Sequence, residues 1–231
     1  MKAIASKSFV LAALIATPLM ASAQLSTNVS LVSNYKFRGQ DQDLSKTTAV
    51  KPALQGGFDY GFSNGLYVGN WNSNINFNGA GSLEMDVYGG YKGELSGVGY
   101  DVGVLKYAYP SQASANTTEA YLGLSYGAFS AKYSSTISDK YFGASKAGYL
   151  SVSYAQEISK GLTLKAAVGH TNFKTGTDYS DYSVGASYDL GDGFSVAGAV
   201  VGATKKSDAA FTVDGVELNK NRFILTFTKA M

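Results

Sequence analysis

The sequence predicts an all-β protein, an up-and-down antiparallel transmembrane β-barrel of about twelve strands. Three observations carry this prediction. Apolar and polar residues alternate with a period of two from Leu25 onward, as strands require. Glycine-containing breaks interrupt the alternation at intervals of roughly 32 residues, the length of one hairpin with its loop. Short and longer breaks follow one another strictly, which is typical of a meander with one tight end and one loose end.

The composition excludes several classes of protein. Charged residues make up 16% of the chain while aromatic and aliphatic residues are plentiful, which argues against disorder. Cysteine is absent, which excludes a disulfide scaffold, thiolate catalysis and cysteine-based metal sites. The formal net charge of +2 leaves no basic footprint for nucleic acid, so we expect no nucleic-acid partner.

Residues 1–23 have the pattern of a secretory signal peptide. Lys2 and Lys7 precede an apolar stretch at 9–20, and small residues at 21–23 provide a cleavage site. The apolar stretch is too short to serve as a membrane-spanning anchor. We therefore expect a signal peptide at 1–23, removed on export, and an outer-membrane β-barrel at 24–231.

Long alternating runs define the predicted strands. The first run extends from Leu25 to Phe37, with Val32 as an apolar exception on its polar parity. In the third run one parity is apolar and the other is asparagine: Tyr67, Trp71, Ile75 and Phe77 against Asn70, Asn72, Asn74 and Asn76. Such runs suit a tilted bilayer crossing, which takes about 9 to 11 residues. In the fifth run the apolar parity switches near Val104 and Leu105, which predicts a β-bulge there.

The breaks give the connectivity. Five short breaks each contain glycine, and most have Asn, Asp or Ser beside it, which is hairpin-turn chemistry; they lie at 63–65, 95–97, 126–128, 159–161 and 191–193. Six longer polar breaks lie between them, at 39–49, 77–82, 110–117, 138–147, 173–179 and 204–220. Together they separate twelve strands.

A soluble periplasmic β protein is the alternative to a membrane barrel. One parity is aliphatic and aromatic over the whole strand length, whereas the other is too rich in Asn, Ser, Gly and charged residues for a packed core. Twelve strands also enclose more space than the eight-stranded barrels that side chains can fill. An apolar outer band around a polar lumen satisfies the backbone in lipid, so the membrane barrel is favoured.

Three segments resemble a proteobacterial family of outer-membrane porins, often named the TorF type and largely uncharacterised. They are N-V-S-L-V-S-N-Y-K-F-R-G-Q at 28–40, Q-G-G-F-D-Y at 55–60 and L-E-M-D-V-Y-G-G-Y-K-G at 83–93. The resemblance extends over essentially the whole mature chain and implies an outer-membrane barrel. The family has no agreed catalytic or binding residues, so the resemblance implies no role for any single position.

Loop lengths predict the orientation, because outer-membrane barrels have short periplasmic turns and longer outer loops. The first strand would then reach the outer rim at Phe37-Arg38-Gly39. The last strand, at 221–229, would close against the first and turn Phe223, Leu225 and Phe227 toward lipid. We expect aromatic girdles from Tyr60, Tyr67, Tyr100 and Tyr188 at the periplasmic end and from Tyr35, Phe37, Tyr107 and Tyr109 at the outer end.

Residues of the inward parity are candidates for contact with a solute. Counting from each turn, the predicted pore lining near mid-height consists of Asp59, Asn70, Asn72, Tyr88, Glu119, Tyr121, Lys132, Lys165 and Arg222. The predicted outer mouth consists of Lys36, Arg38, Glu84, Asp86 and Asp181. For each of them, a salt bridge or hydrogen bond that braces the wall is the alternative to solute contact. The mid-height ring is nearly balanced in charge, which predicts weak ion selectivity, slightly in favour of anions or zwitterions.

Catalysis and metal binding have little support. His170 is the single histidine, and the neighbouring His170-Thr171-Asn172 sequence contains no serine nucleophile. Without cysteine or a tight carboxylate cluster, we expect no catalytic, cofactor-binding or metal-binding residues.

The sequence therefore predicts an outer-membrane porin for passive diffusion of small hydrophilic solutes, with membrane lipid as its surroundings. The alternative is a plugged barrel with a structural or interaction role through its outer loops. Solute identity, pore radius, an inward-folded loop and the oligomeric state stay open.

Overall fold

The computed structural model describes residues 24–46, 50–77 and 82–231. The expected signal peptide lies outside these ranges. The strands in the described ranges are β1 (Gln24–Val32), β2 (Lys36–Phe37), β3 (Gln40–Asp41), β4 (Ala53–Gly61), β5 (Leu66–Asn74), β6 (Leu83–Leu95), β7 (Val98–Ala108), β8 (Thr117–Tyr126), β9 (Phe129–Thr136), β10 (Ala147–Ser159), β11 (Leu162–Phe173), β12 (Tyr179–Gly191), β13 (Phe194–Ala203), β14 (Thr212–Val213), β15 (Val216–Glu217) and β16 (Arg222–Ala230). Short 3-10 helices lie at Ala113–Ala115 and Ala209–Phe211. Within the described part of the chain, no helix is long and apolar enough to cross a membrane.

Twelve of these strands form a closed antiparallel barrel, which confirms the predicted fold class. The order around the barrel is β1, β16, β13, β12, β11, β10, β9, β8, β7, β6, β5 and β4, and β4 pairs with β1 again. Tight turns at the predicted short breaks join neighbouring strands at one end, here called the turn end. The longer connections lie at the opposite, loop end. The last strand closes on the first through pairs such as Leu31 with Phe227.

The predicted bulge in β7 is wrong. The register between β6 and β7 runs without interruption from Leu95 opposite Val98 to Met85 opposite Ala108. Val102 and Val104 are therefore exposed on the outside, whereas Tyr107 is buried inside. Apolar residues occupy both faces of β7 near the loop end because the lumen itself has an apolar core there.

The outer face of the barrel is apolar along most of its strands. Large apolar side chains occupy the outward positions, among them Leu54, Val87, Val168 and Phe223, which are 61%, 55%, 60% and 62% exposed. Transfer of such a surface from water into apolar surroundings is favourable by roughly 25 cal/mol per Å². The outer wall is therefore suited to contact with lipid.

The buried core lies inside the barrel, toward the loop end. Ile75, Tyr107, Tyr109 and Ala115 form one cluster, packed against Tyr35, Phe37 and other rings, while Tyr179, Ala203 and Phe211 form a second. Five residues expected in aromatic girdles are consequently inside the barrel: Tyr35, Phe37, Tyr67, Tyr107 and Tyr109. Tyr35, Phe37, Tyr107 and Tyr109 pack around a segment that enters the lumen, whereas Tyr67 hydrogen-bonds to Asp101 below it. Alternation in the sequence reveals neither arrangement.

Candidate functional site

The lumen is crossed by the chain that follows β1. This strand ends at Val32 rather than extending to Phe37, and residues 33–46, called the inward segment below, fold into the barrel. The β2–β3 hairpin forms its tip, with Arg38 and Gly39 at the turn. The tip reaches side chains of β8, β10 and β12, which lie across the lumen from β1.

Arg38 joins the tip of the inward segment to the far wall. Its Nη1 donates to Glu119 Oε1 at 3.0 Å and its Nη2 donates to Oε2 at 2.7 Å, a bidentate ion pair from which solvent is almost completely excluded. Nη1 also donates to the hydroxyl of Tyr141 at 3.0 Å, and the guanidinium lies 4.0 Å from the centre of the Tyr149 ring. Carboxylate and ring faces together are the surroundings that a buried guanidinium needs.

A second ion-pair cluster holds the base of the hairpin. Asp41 accepts hydrogen bonds from Arg222 Nε at 2.8 and 2.9 Å and from Arg222 Nη2 at 2.5 Å, and it lies 3.1 Å from Lys36 Nζ. Lys36 also donates to the carbonyls of Gly39 and Leu218. Burial lowers the pKa of the Lys36 amine to about 8, although the Asp41 carboxylate acts in the opposite direction.

The turn fits the wall closely at Gly39. Its φ of +77° lies in the left-handed region, and a Cβ there would come within 2.7 Å of both Asp181 Cβ and the Gly202 carbonyl oxygen. Arg38 also has a positive φ of 46°. Glycine supplies both the conformation and the space, so the hairpin can lie flat against β12 and β13.

Aromatic rings surround the segment on the β5–β7 side. Phe37 contacts Tyr107 and Phe142 with ring centres 5.5 and 5.6 Å apart, and Tyr35 contacts Trp71 at 5.6 Å. Burial raises the pKa of the Tyr141 hydroxyl to about 12, although the positive charge of the neighbouring Arg38 acts to lower it. The inward segment is thus held by ion pairs on one side and by edge-to-face rings on the other.

Below this segment, toward the turn end, the inner face carries a hydrogen-bonded polar layer. Tyr67 donates to Asp101 at 2.6 Å and also contacts the Tyr121 hydroxyl. Tyr88 donates to Asp59 at 2.7 Å. Lys132 Nζ lies 3.7 Å from the centre of the Tyr121 ring. Charges and hydroxyl groups therefore line this half of the lumen.

Several carboxylate oxygens in the lumen have no hydrogen-bond partner. Glu84 accepts from the Tyr109 hydroxyl through Oε1 at 3.0 Å, but its Oε2 is buried without a partner, and so is Asp86 Oδ1. Asp181 likewise uses Oδ1 for the Tyr149 hydroxyl and leaves Oδ2 unpaired. Among the described residues, no group of three or more His, Cys, Asp or Glu side chains is arranged to hold a metal ion.

Most predicted pore-lining residues occupy inward positions, and their role in solute contact stays a prediction. The inward residues are Asp59, Tyr88, Glu119, Tyr121, Lys132, Lys165 and Arg222. Of these, Glu119 and Arg222 are committed to ion pairs with the inward segment. This is the wall-bracing alternative considered for every candidate.

The prediction is wrong for Asn70 and Asn72. β5 pairs without a bulge on both sides, and its buried positions are Tyr67, Gly69 and Ser73, so the asparagines point to the outer face. The aromatic parity of β5 is the inward one because it packs against the inward segment. Alternation shows that a strand has two faces, but it does not show which face is inside.

Only some of the predicted outer-mouth residues lie on the wall near the loop end. Glu84, Asp86 and Asp181 are inward near the loop end, as expected from their parity. Lys36 and Arg38 do not lie at the rim, because the chain leaves the wall after Val32 and carries both side chains into the lumen. Val32, the apolar exception in the first run, is the signal in the sequence that marks this point.

His170 has a serine partner that the local sequence does not reveal. Ser180 lies opposite it on β12, and His170 Nδ1 is 2.9 Å from Ser180 Oγ on the exposed outer face. Asp178, the nearby carboxylate, hydrogen-bonds instead to Asn172 Nδ2 and to the Phe173 amide. Serine catalysis needs a third group that orients the histidine, and Asp178 is engaged elsewhere.

A family model described as "Bacterial protein of unknown function (Gcw_chp)" matches residues 17–231. No curated protein sequence matches the chain. Among solved structures, the KdgM porin has a TM-score of 0.60 at 12% identity, covering 88% of this chain and 98% of that one. A KdgM porin "in complex with disordered oligogalacturonate" gives the same values, and the NanC porin has a TM-score of 0.58 at 11% identity, covering 90% and 98%. These likenesses concern the fold.

Proposed function

The chain belongs to the Gcw_chp family, whose function its description leaves open, and we propose that it is an outer-membrane porin for small hydrophilic solutes. Residues 1–23 would direct export and be removed. The observation that carries the proposal is the contrast between the two faces of one closed wall. Val87 and Val168 are exposed on the outer face, while Asp59 and Lys132 line the inner face. An apolar outer face is needed for contact with lipid, and a polar inner face is needed for a water-filled lumen.

The inward segment would form the constriction of this channel. It meets the wall at Glu119 on one side and at Arg222 on the other, near the loop-end starts of β8 and β16, so it narrows the lumen toward the loop end. The charged side chains of these contacts are largely paired with each other, which leaves little net charge to select ions. We therefore expect a small, weakly selective pore whose width is set by the position of the hairpin.

The porin-like fold and the resemblance to TorF-type porins support this proposal. The oligogalacturonate in one neighbour's description concerns that protein. In this chain, the cations Lys36, Arg38 and Arg222 are each engaged with carboxylates. This arrangement favours uncharged or zwitterionic solutes over acidic ones.

Reconstitution in a planar bilayer tests the proposal. The mature chain should give discrete openings, and liposomes that contain it should swell in small neutral sugars but not in large oligosaccharides. Arg38→Lys is a matched variant that keeps the charge but loses the bidentate geometry, and its openings should be larger or noisier. Folded, inserted protein that gives no discrete openings would contradict the channel.

A plugged barrel is the second candidate, and the docked inward segment is the observation that favours it. Two ion-pair clusters and several ring contacts hold residues 33–46 across the lumen. If the barrel is plugged, the wild-type protein should not conduct, and conduction should begin only after the inward segment is released, for example in Gly39→Ala. The porin predicts openings in both proteins.

A further inference from the structure

The inner wall toward the turn end carries a row of charged side chains that are adjacent but not paired with one another. Lys92 on β6 lies opposite Asp101 on β7, and Asp101 in turn lies opposite Gly123 on β8. Gly123 lies opposite Lys132 on β9, so the row continues over four strands. Among the described residues, neither lysine forms an ion pair with Asp101 or with any other carboxylate, whereas the cations that hold the inward segment are all paired.

The two ammonium groups lie on tyrosine rings instead. Lys92 Nζ is 4.4 Å from the centre of the Tyr67 ring, and Lys132 Nζ is 3.7 Å from the centre of the Tyr121 ring. The hydroxyls of these two tyrosines contact each other, so both rings and both ammonium groups share one area of the wall. A ring face attracts an ammonium group but leaves most of its N–H donors unused, and these donors are available to the lumen.

Asp101, between the two lysines, has an unused acceptor. Its Oδ1 accepts from the Tyr67 hydroxyl at 2.6 Å, whereas its Oδ2 is buried without a partner. The residue is only 6% exposed, and an unsatisfied buried carboxylate oxygen is costly. If these charges served only to brace the wall, they would pair with one another. The row instead keeps donors and an acceptor unused side by side.

Gly123 leaves an opening in the middle of this row. Its φ is not in the left-handed region, and a Cβ added there would have Asp101 Cβ as its nearest neighbour at 3.7 Å, an ordinary contact distance. At Gly103 the situation differs, because an added Cβ would overlap the Tyr121 hydroxyl. Neither backbone conformation nor packing therefore requires glycine at position 123, and the missing side chain leaves space beside Asp101.

We propose that Lys92, Asp101 and Lys132 form a binding site for a small zwitterion whose carboxylate and ammonium groups are close together, as in an α-amino acid. The carboxylate of the solute accepts hydrogen bonds from the two lysines, and its ammonium group donates to Asp101 Oδ2. The two lysine backbones are three strand spacings of about 4.8 Å apart, so their flexible side chains can reach one anion above Gly123. Asp101 Oδ2 becomes accessible when a lysine leaves its ring for the incoming carboxylate.

Solutes with a single charge fit this row less well. A simple carboxylate would engage the two lysines but would leave Asp101 Oδ2 without a donor and place a second negative charge beside it. A simple ammonium ion would be repelled by both lysines. A zwitterion uses the donors and the acceptor together, and each of its hydrogen bonds is strengthened by charge. The inference deepens the proposed function and rests on it, because the solute reaches the site through the lumen.

Binding of three matched probes tests the site. L-alanine carries both charges, propionate has the same carbon chain without the ammonium group, and ethylamine lacks the carboxylate. Titrations of the folded mature protein in detergent, followed by ligand-observed NMR, should give a dissociation constant for L-alanine about tenfold lower than for either other probe, the gain expected from one further charge-assisted hydrogen bond. Propionate or ethylamine that binds as tightly as L-alanine would overturn the site.

A substitution in the row should weaken binding without unfolding the barrel. Lys132→Met should raise the dissociation constant of L-alanine about tenfold, through loss of one charge-assisted hydrogen bond. Lys229→Met is the matched control, because Lys229 Nζ also lies on a ring, 4.2 Å from the centre of Phe194, but on the outer face near the turn end. Equal effects of the two variants would overturn the assignment.

A second variant changes no charge. Gly123→Val fills the space beside Asp101 with a side chain that suits a strand, so it should keep the fold and weaken L-alanine binding. Unchanged binding in Gly123→Val would overturn the site. Bilayer recordings of the same samples keep the two proposals separate. Openings without binding of L-alanine contradict only the site, and binding without openings contradicts only the channel.

Discussion

Arg38 and Glu119 form a bidentate ion pair across the lumen, with donor–acceptor distances of 3.0 and 2.7 Å. Arg38 is in the hairpin that follows the first barrel strand, and Glu119 is on β8, on the other side of the barrel. Because both side chains are almost completely buried, the pair fixes the tip of the inward segment against the wall. The width of the lumen at this height therefore depends on two residues that are far apart in the chain.

Removal of Arg38 should release the tip. Arg38→Ala leaves Glu119 as a buried carboxylate without its ion partner, and breaking a buried pair in this way typically costs about 3–5 kcal/mol. We expect a larger single-channel conductance and a lower free energy of unfolding in urea. Lys106→Ala, on the exposed outer side of β7, is the control and should change neither quantity appreciably.

A double-mutant cycle separates the pair from its surroundings. The variant with both Arg38→Ala and Glu119→Gln should be less destabilised than the sum of the two single variants, since neither charge is then left alone. If the losses in free energy of unfolding of the two single variants simply add up to that of the double variant, the two groups do not interact in the membrane.

Gly39→Ala should release the hairpin through a steric effect. The new Cβ would overlap Asp181 Cβ and the Gly202 carbonyl, in addition to the cost of about 1–2 kcal/mol for a left-handed alanine. Gly215→Ala is a matched control, because Gly215 has a similar φ of +78° but a Cβ added there would have no atom within 4 Å. Limited proteolysis of residues 33–46 should accelerate for Gly39→Ala alone, and equal acceleration in both variants would attribute the effect to backbone strain.

Charge insertion tests which face of β6 meets lipid. Val87 is 55% exposed on the outer face, while its neighbour Tyr88 is inward and hydrogen-bonds to Asp59. Arginine at the lipid face near the midplane costs roughly 2–4 kcal/mol, so Val87→Arg should impair folding into liposomes far more than Tyr88→Arg. The readout is the free energy of unfolding in lipid, and similar losses for both variants would argue against a wet lumen.

The Lys36 amine should make docking of the inward segment depend on pH. Its pKa is about 8 when docked, below the ordinary value of 10.5, because burial disfavours the charged form. Between these two values the released segment holds a proton that the docked segment has lost, so docking strengthens as pH rises from about 8 to 10.5. Below pH 8 the amine is protonated in both states and contributes no pH dependence.

Open probability in planar bilayers, recorded at pH 7 and pH 10, measures this effect. Wild-type protein should open less often at the higher pH. Lys36→Met removes the titrating group and should abolish the difference, whereas the same pH response in Lys36→Met would assign it to another residue.

The asparagine and aromatic faces of β5 show the limit of reasoning from alternation. In β5 the sequence places aromatic residues on one parity and asparagines on the other, which suggests a lipid-facing aromatic row. The structure reverses the two faces, because Trp71 packs against Tyr35 of the inward segment and Ser73 hydrogen-bonds to Gln55 inside the barrel. A local pattern contains no information about a segment that arrives from elsewhere in the chain.

The sequence by itself determined the twelve strands, their antiparallel order and the tight turns, because these follow from local alternation and from glycine-rich turn chemistry. It also indicated which residues of β6, β8 and β16 point inward, since a continuous strand keeps its parity from end to end. The tertiary structure alone decided where Arg38 and Lys36 lie. Once the chain leaves the wall after Val32, pairing with the neighbouring strands of the barrel no longer sets its path. Ion pairs with Glu119 and Arg222, backbone hydrogen bonds to Leu218 and Asn76 and contacts with the surrounding rings position it instead.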